Sequence, residues 1–82
     1  DQGNSKADTD ITAQIRKGIL VTKGMSMNAK NVKIITNNGQ VTLRGPVKNE
    51  EEKRIIGEIA NGIARSENVH NQLEITITTA SN

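Results

Sequence analysis

Cysteine is absent from the 82 residues, and so are Phe, Tyr and Trp. No disulfide or thiolate metal site supports this fold. Ile, Val, Leu, Met and Ala must build the core, and no aromatic platform is available to stack a base or a sugar. A single His without Cys falls short of a zinc or redox-metal ligand set, so no cofactor is expected. No apolar run approaches the roughly 18 residues that a spanning helix needs. The glycines fit neither a phosphate loop nor a dinucleotide fingerprint. Charge of either sign is modest. Eleven basic and nine acidic residues leave a formal charge of +2, which does not imply a nucleic-acid partner. The start at Asp1, without Met, fits a mature or trimmed chain.

What is present is a strong turn signal. Asn38-Gly39 lies between two short alternating apolar runs, Lys33–Asn37 and Gln40–Gly45. Both central residues of a type I′ turn need positive φ, which Asn tolerates and Gly accepts freely. With this two-residue loop, Lys33 faces Arg44, Ile34 faces Leu43, Ile35 faces Thr42, Thr36 faces Val41 and Asn37 faces Gln40. Ile34 and Leu43 then share a core face, while Lys33 and Arg44 share a basic, polar face.

Around this hairpin the chain reads as one domain, residues 8–78, between tails at 1–7 and 79–82. A first helix is expected to start at Asp8, Thr9 or Asp10, each a competent cap. Ile11, Ile15 and Ile19 form its apolar stripe, and Lys23-Gly24 offers an end. Met25–Asn31 reads as a loop, with Met25, Met27 and Ala29 plugging the core. The first strand is expected over 31–37 and the second over 40–45, ending near Pro46. Asn49 caps a second helix, with Glu52 at the third helical position, where a capping-box partner belongs. Ile55, Ile56, Ile59, Ala60 and Ile63 form its buried face. Glu50 and Arg54 have the spacing of a favourable helix ion pair. A third strand follows at 69–78, and Asn71 interrupts its apolar row. The fold class is α/β: a two-layer α+β sandwich in the order helix, strand, strand, helix, strand. Its three-stranded mixed sheet carries two helices on one face.

No catalytic constellation emerges. His70 has no evident nucleophile beside it, and Glu50, Glu51 and Glu52 read as helix-start carboxylates. The candidate contact residues are cations: Arg16, Lys17 and Lys23 on the first helix, and Lys33 and Arg44 on the sheet. Leu20 and Val21 lie at the edge of the first helix's stripe. Without Trp or Phe, any membrane contact there is shallow. The first strand, at a sheet edge, also offers pairing to a partner strand.

Asn38-Gly39-Gln40-Val41-Thr42-Leu43-Arg44-Gly45-Pro46-Val47 resembles the BON domain, a bacterial envelope module. So do the acidic helix start, Ile59-Ala60-Asn61-Gly62-Ile63, and Val69-His70-Asn71-Gln72-Leu73-Glu74-Ile75. The similarity spans roughly Asp10 to Ile77. The chain departs from the family at Arg65-Ser66, where a Gly-Val pair is common. The resemblance implies a two-layer fold and a non-enzymatic protein of the periplasm or outer membrane, sometimes lipid-anchored. For some members it also implies phospholipid contact and a role in envelope integrity or stress response, and together with the basic residues above it points to anionic phospholipid or a membrane-associated protein as the partner. The alternative is a protein–protein or structural module without lipid affinity. Gly39, Gly45, Asn71 and Leu73 recur in the family pattern and have structural explanations.

Overall fold

The computed structural model describes residues 2–76. Helix α1 (Gln2–Val21) leads to a short helix α2 (Met27–Lys30). The hairpin β1 (Lys33–Asn37) and β2 (Gln40–Val47) follows. Helix α3 (Glu50–Ala64) then crosses over, through a 3-10 turn at Ser66–Asn68, to β3 (Val69–Ile75). The sheet order is β1-β2-β3, antiparallel then parallel. Ile15 and Ile19 of α1 and Ile56 and Ala60 of α3 bury themselves with the sheet's inner residues Val41, Leu43, Val47 and Leu73. Burying one of the Ile, Leu or Val side chains among them stabilises the fold by about 1.5–3 kcal/mol. This is the expected two-layer α+β arrangement.

The hairpin forms in the expected register, pair for pair from Lys33↔Arg44 to Asn37↔Gln40. Asn38 and Gly39 take φ of 54° and 83°, as the turn requires.

Several bounds differ from those expected. Helix α1 begins at Gln2, ahead of the Asp8–Asp10 caps, so the segment read as a tail continues the helix. Helix α1 ends at Val21, before Lys23-Gly24. Within the expected loop, Ser26 caps α2 by accepting the Ala29 N–H at 3.1 Å. Met25 and Ala29 are buried, but Met27 is exposed. Strand β2 runs through Pro46, because the pairing pattern turns residue 46 toward the β1 side of the ladder. Strand β1 has already ended there, opposite Arg44, so no ladder bond is lost. The third strand is expected to reach residue 78 but ends at Ile75, and residues 77–78 and the 79–82 tail lie outside the described residues. Arg54 bonds Glu58 at 2.9 Å and Glu51 at 3.3 Å, and not Glu50.

The α3 end is strained at one position. Arg65 has φ 73° and ψ 137°, a conformation that suits glycine. The resemblance to the BON domain implies Gly at this position. A non-glycine residue held there costs about 1–3 kcal/mol. Arg65→Gly is therefore expected to stabilise the domain by about 1 kcal/mol, after allowing for the extra backbone entropy of Gly. Thermal denaturation reads this as a rise of about 4–8 °C. An unchanged or lower melting temperature would contradict the strain.

Candidate functional site

Helix α1 presents the most distinctive surface. Its buried stripe, Ile15 and Ile19, faces the core. On the opposite side Lys17 is followed three and four residues later by Leu20 and Val21, a spacing that groups them on one helix face. Leu20 is 52% and Val21 68% exposed. Lys23 follows in the turn after the helix and is also exposed. Met27, 76% exposed, opens α2 four residues later. The end of α1 thus couples two exposed lysines to two exposed aliphatic side chains.

Arg16 stands apart from that group. Its Nη1 donates to the Lys30 carbonyl and its Nη2 to the Val32 carbonyl, each at 2.7 Å. The guanidinium brackets the chain as it enters β1, and this use of its donors sets it apart from the exposed lysines. Asp8 is one of the three caps expected for the first helix. It lies inside α1, and its carboxylate accepts the Asn38 N–H at 2.8 Å and the Gly39 N–H at 2.9 Å. Asp8 therefore holds the hairpin turn, and Thr12 adds a hydroxyl–hydroxyl bond to Thr36 at 2.7 Å. Sequence periodicity places these residues on a face of α1 but carries no signal for partners more than 20 residues away.

Lys33 and Arg44 lie on the outer sheet face, the side away from the helices, directly opposite one another. Gln72 flanks Arg44 on β3. Two like charges at adjacent positions repel, which favours an anion between or above them. These two cations and the α1 lysines occupy different layers, so the structure divides the five candidate cations into separate groups. On the same sheet face His70 bonds Gln40 Oε1 at 2.9 Å, and Gln40 Nε2 donates to Asn68 Oδ1 at 2.9 Å. This polar row contains no nucleophile–base pair.

The remaining motif residues hold the fold together. Asn49 Oδ1 accepts the Glu52 N–H at 2.9 Å, as a cap should. The Glu52 carboxylate does not return to Asn49. It accepts the Lys48 N–H at 2.8 Å, the Ser26 N–H at 2.7 Å and the Ser26 hydroxyl at 2.9 Å. Burial alone pushes its pKa up. The backbone N–H groups of Lys48 and Ser26, the Ser26 hydroxyl and the Lys48 charge outweigh that and leave it below 4.5, its ordinary value. Asn71 Nδ2 donates to the Lys53 carbonyl at 3.0 Å, and its Oδ1 accepts the Leu73 N–H at 3.2 Å. Gly45, φ 126°, sits against the Val32 backbone.

Among the described residues no group of three or more His, Asp or Glu side chains has the placement to hold a metal ion. No helix there is long and apolar enough to cross a membrane. A search of curated proteins finds no match. The model of the BON domain family matches residues 7–77. BON domains are non-catalytic binding modules, and the family is associated in general with the bacterial envelope and with membranes or lipids. The match takes in the turn-holding part of α1, the hairpin, the crossover helix and the final strand, and the chain belongs to the BON domain family.

Proposed function

We propose that this domain docks peripherally on anionic phospholipid in the periplasm or at the outer membrane, through the exposed end of α1. One observation carries the reading: Lys17 shares an exposed helix face with Leu20 and Val21, and Lys23 follows immediately. Lysines near an anionic bilayer each contribute about 1 kcal/mol. The two aliphatic side chains add a shallow apolar contact, which suits a face without Trp or Phe. Arg16 is left out of the contact because two backbone carbonyls already hold its guanidinium. Lys33 and Arg44, on the other layer, form a separate cationic row outside this contact. A processed, lipid-anchored form fits this reading, since an anchor and a basic surface together hold a protein at a membrane better than either alone.

Cosedimentation with vesicles tests it. Binding to phosphatidylglycerol-containing vesicles is expected to fall about tenfold or more in Lys17→Glu and to fade as salt rises through the screening range. Binding to zwitterionic vesicles should be negligible. Equal binding to both vesicle types, or wild-type binding by Lys17→Glu, would contradict the contact. A failure to bind either would direct the search to a protein partner.

A further inference from the structure

β1 is an edge strand of the sheet: Arg16 holds the Val32 carbonyl before it and Asp8 holds the Asn38 and Gly39 N–H groups after it, and the segment between them is open. Lys33, Ile35 and Asn37 oppose Arg44, Thr42 and Gln40 in the hairpin. A two-residue loop makes Asn37↔Gln40 a hydrogen-bonded pair, and every second pair after it. The N–H and C=O groups of Ile34 and Thr36 therefore point away from β2. Among the described residues they make no hydrogen bond to another element. Beside this edge, between β1 and α1, runs a groove of about 380 Å³ lined by Asp8, Thr9, Thr12, Ala13, Arg16 and Thr36.

We propose that this edge pairs with the same edge of a second copy, making a continuous six-stranded sheet across a two-fold axis. The free groups fix the register. Antiparallel pairing through them places Ile34 opposite Thr36 of the second copy, and Ile35 opposite itself at the axis. Ile35 is 42% exposed, a large apolar side chain on an otherwise polar face. Self-pairing covers it with its own copy. The same register sets Lys33 opposite Asn37, so no lysine meets its equivalent.

The groove agrees with this symmetry. Arg16 is fixed beside Val32, and Asp8 beside Asn38. Residues 32 and 38 of opposite copies are brought level by the register that pairs 34 with 36. The axis therefore brings each Arg16 toward the Asp8 of the other copy. Thr12, bonded to Thr36, lies nearest the axis, and the small Ala13 keeps the helix surface low there. A foreign strand would satisfy the same backbone groups, but the position of Ile35 at the axis favours a second copy, and the opposite charges of Arg16 and Asp8, each keeping its bonds within its own chain, come level across that axis.

Sedimentation equilibrium and a cysteine scan test the pairing. Wild-type protein is expected to dimerise, and Ile35→Lys to weaken association about tenfold by opposing two charges. An equimolar mixture of Ile35→Lys and Ile35→Glu should recover the dimer, which only contact through residue 35 of both copies predicts. The chain has no native cysteine, so Ile35→Cys should oxidise to a linked dimer. Lys33→Cys and Asn37→Cys should link when mixed and not separately. A monomer at every accessible concentration would overturn the proposal. So would a dimer indifferent to Ile35→Lys, or an edge that binds only foreign peptide. None of these outcomes depends on lipid, so the test stands apart from the membrane contact.

Discussion

Glu52→Ala is expected to cost about 3–5 kcal/mol, a large part of the stability of a domain this small. Glu52 is 3% exposed, yet it carries a charge. That charge is tolerated because two backbone N–H groups and one hydroxyl converge on it. Two of these donors belong to Ser26, which caps α2, and one to Lys48, which precedes α3. The carboxylate thus joins α3 to the segment that closes one end of the core. Alanine leaves those part-buried donors without their acceptor, so the loss includes their unmet hydrogen bonding as well as the bonds themselves. Glu52→Gln keeps the shape but turns an amide N–H toward N–H donors, and about half the loss is expected. Chemical denaturation at neutral pH measures both.

The pH dependence follows with a definite sign. Glu52 has a lower pKa folded than its ordinary value of 4.5. Its contribution is therefore complete above that ordinary value and disappears as pH falls through the lower, folded value. The gap between wild type and Glu52→Gln should be constant near neutrality and narrow in acid. A gap that stays constant down to pH 3 would show that the carboxylate is not held in its charged form.

Gly57→Ala is the second large effect, expected at about 2 kcal/mol of destabilisation. Alanine at a helix interior ordinarily gains about 1 kcal/mol over glycine. Here its Cβ would lie 2.7 Å from Asn71 Nδ2. That amide has little freedom to yield, because it holds the Lys53 carbonyl on one side and the Leu73 N–H on the other. The domain must open the α3–β3 contact or give up a buried hydrogen bond. The double mutant separates these causes. With Asn71→Ala in place the obstacle is gone, and Gly57→Ala should become neutral or stabilising. A destabilisation that persists in the Asn71→Ala background would place the constraint elsewhere.

These two positions also show how far the sequence could be read. Asn38-Gly39 dictates its own conformation, and alternation on either side then sets the register residue by residue. Asn49 and the helix-start acids were legible for the same local reason. Glu52 was legible as a residue of the first helical turn, but its bond to Ser26 closes a loop of 26 residues, and no local pattern encodes it. Asn71 was visible as a polar break in an apolar row, whereas its acceptor on α3 was not. Gly57 and Gly62 look alike in sequence. Gly57 meets Asn71, while Gly62 faces open space. At the candidate site, Arg16, Lys17 and Lys23 form one basic group by composition. Only tertiary structure separates Arg16, which brackets β1, from the lysines exposed beside Leu20 and Val21.

The central claim is that the exposed end of α1 meets anionic lipid. An NMR titration of the isotopically labelled domain with phosphatidylglycerol-containing bicelles tests it most directly, with zwitterionic bicelles and high salt as comparisons. Shifts centred on Lys17, Leu20, Val21 and Lys23, present only with anionic lipid and lost in salt, are the predicted result. Shifts centred on Lys33, Arg44 and His70, or a flat response to both lipids, would contradict the account.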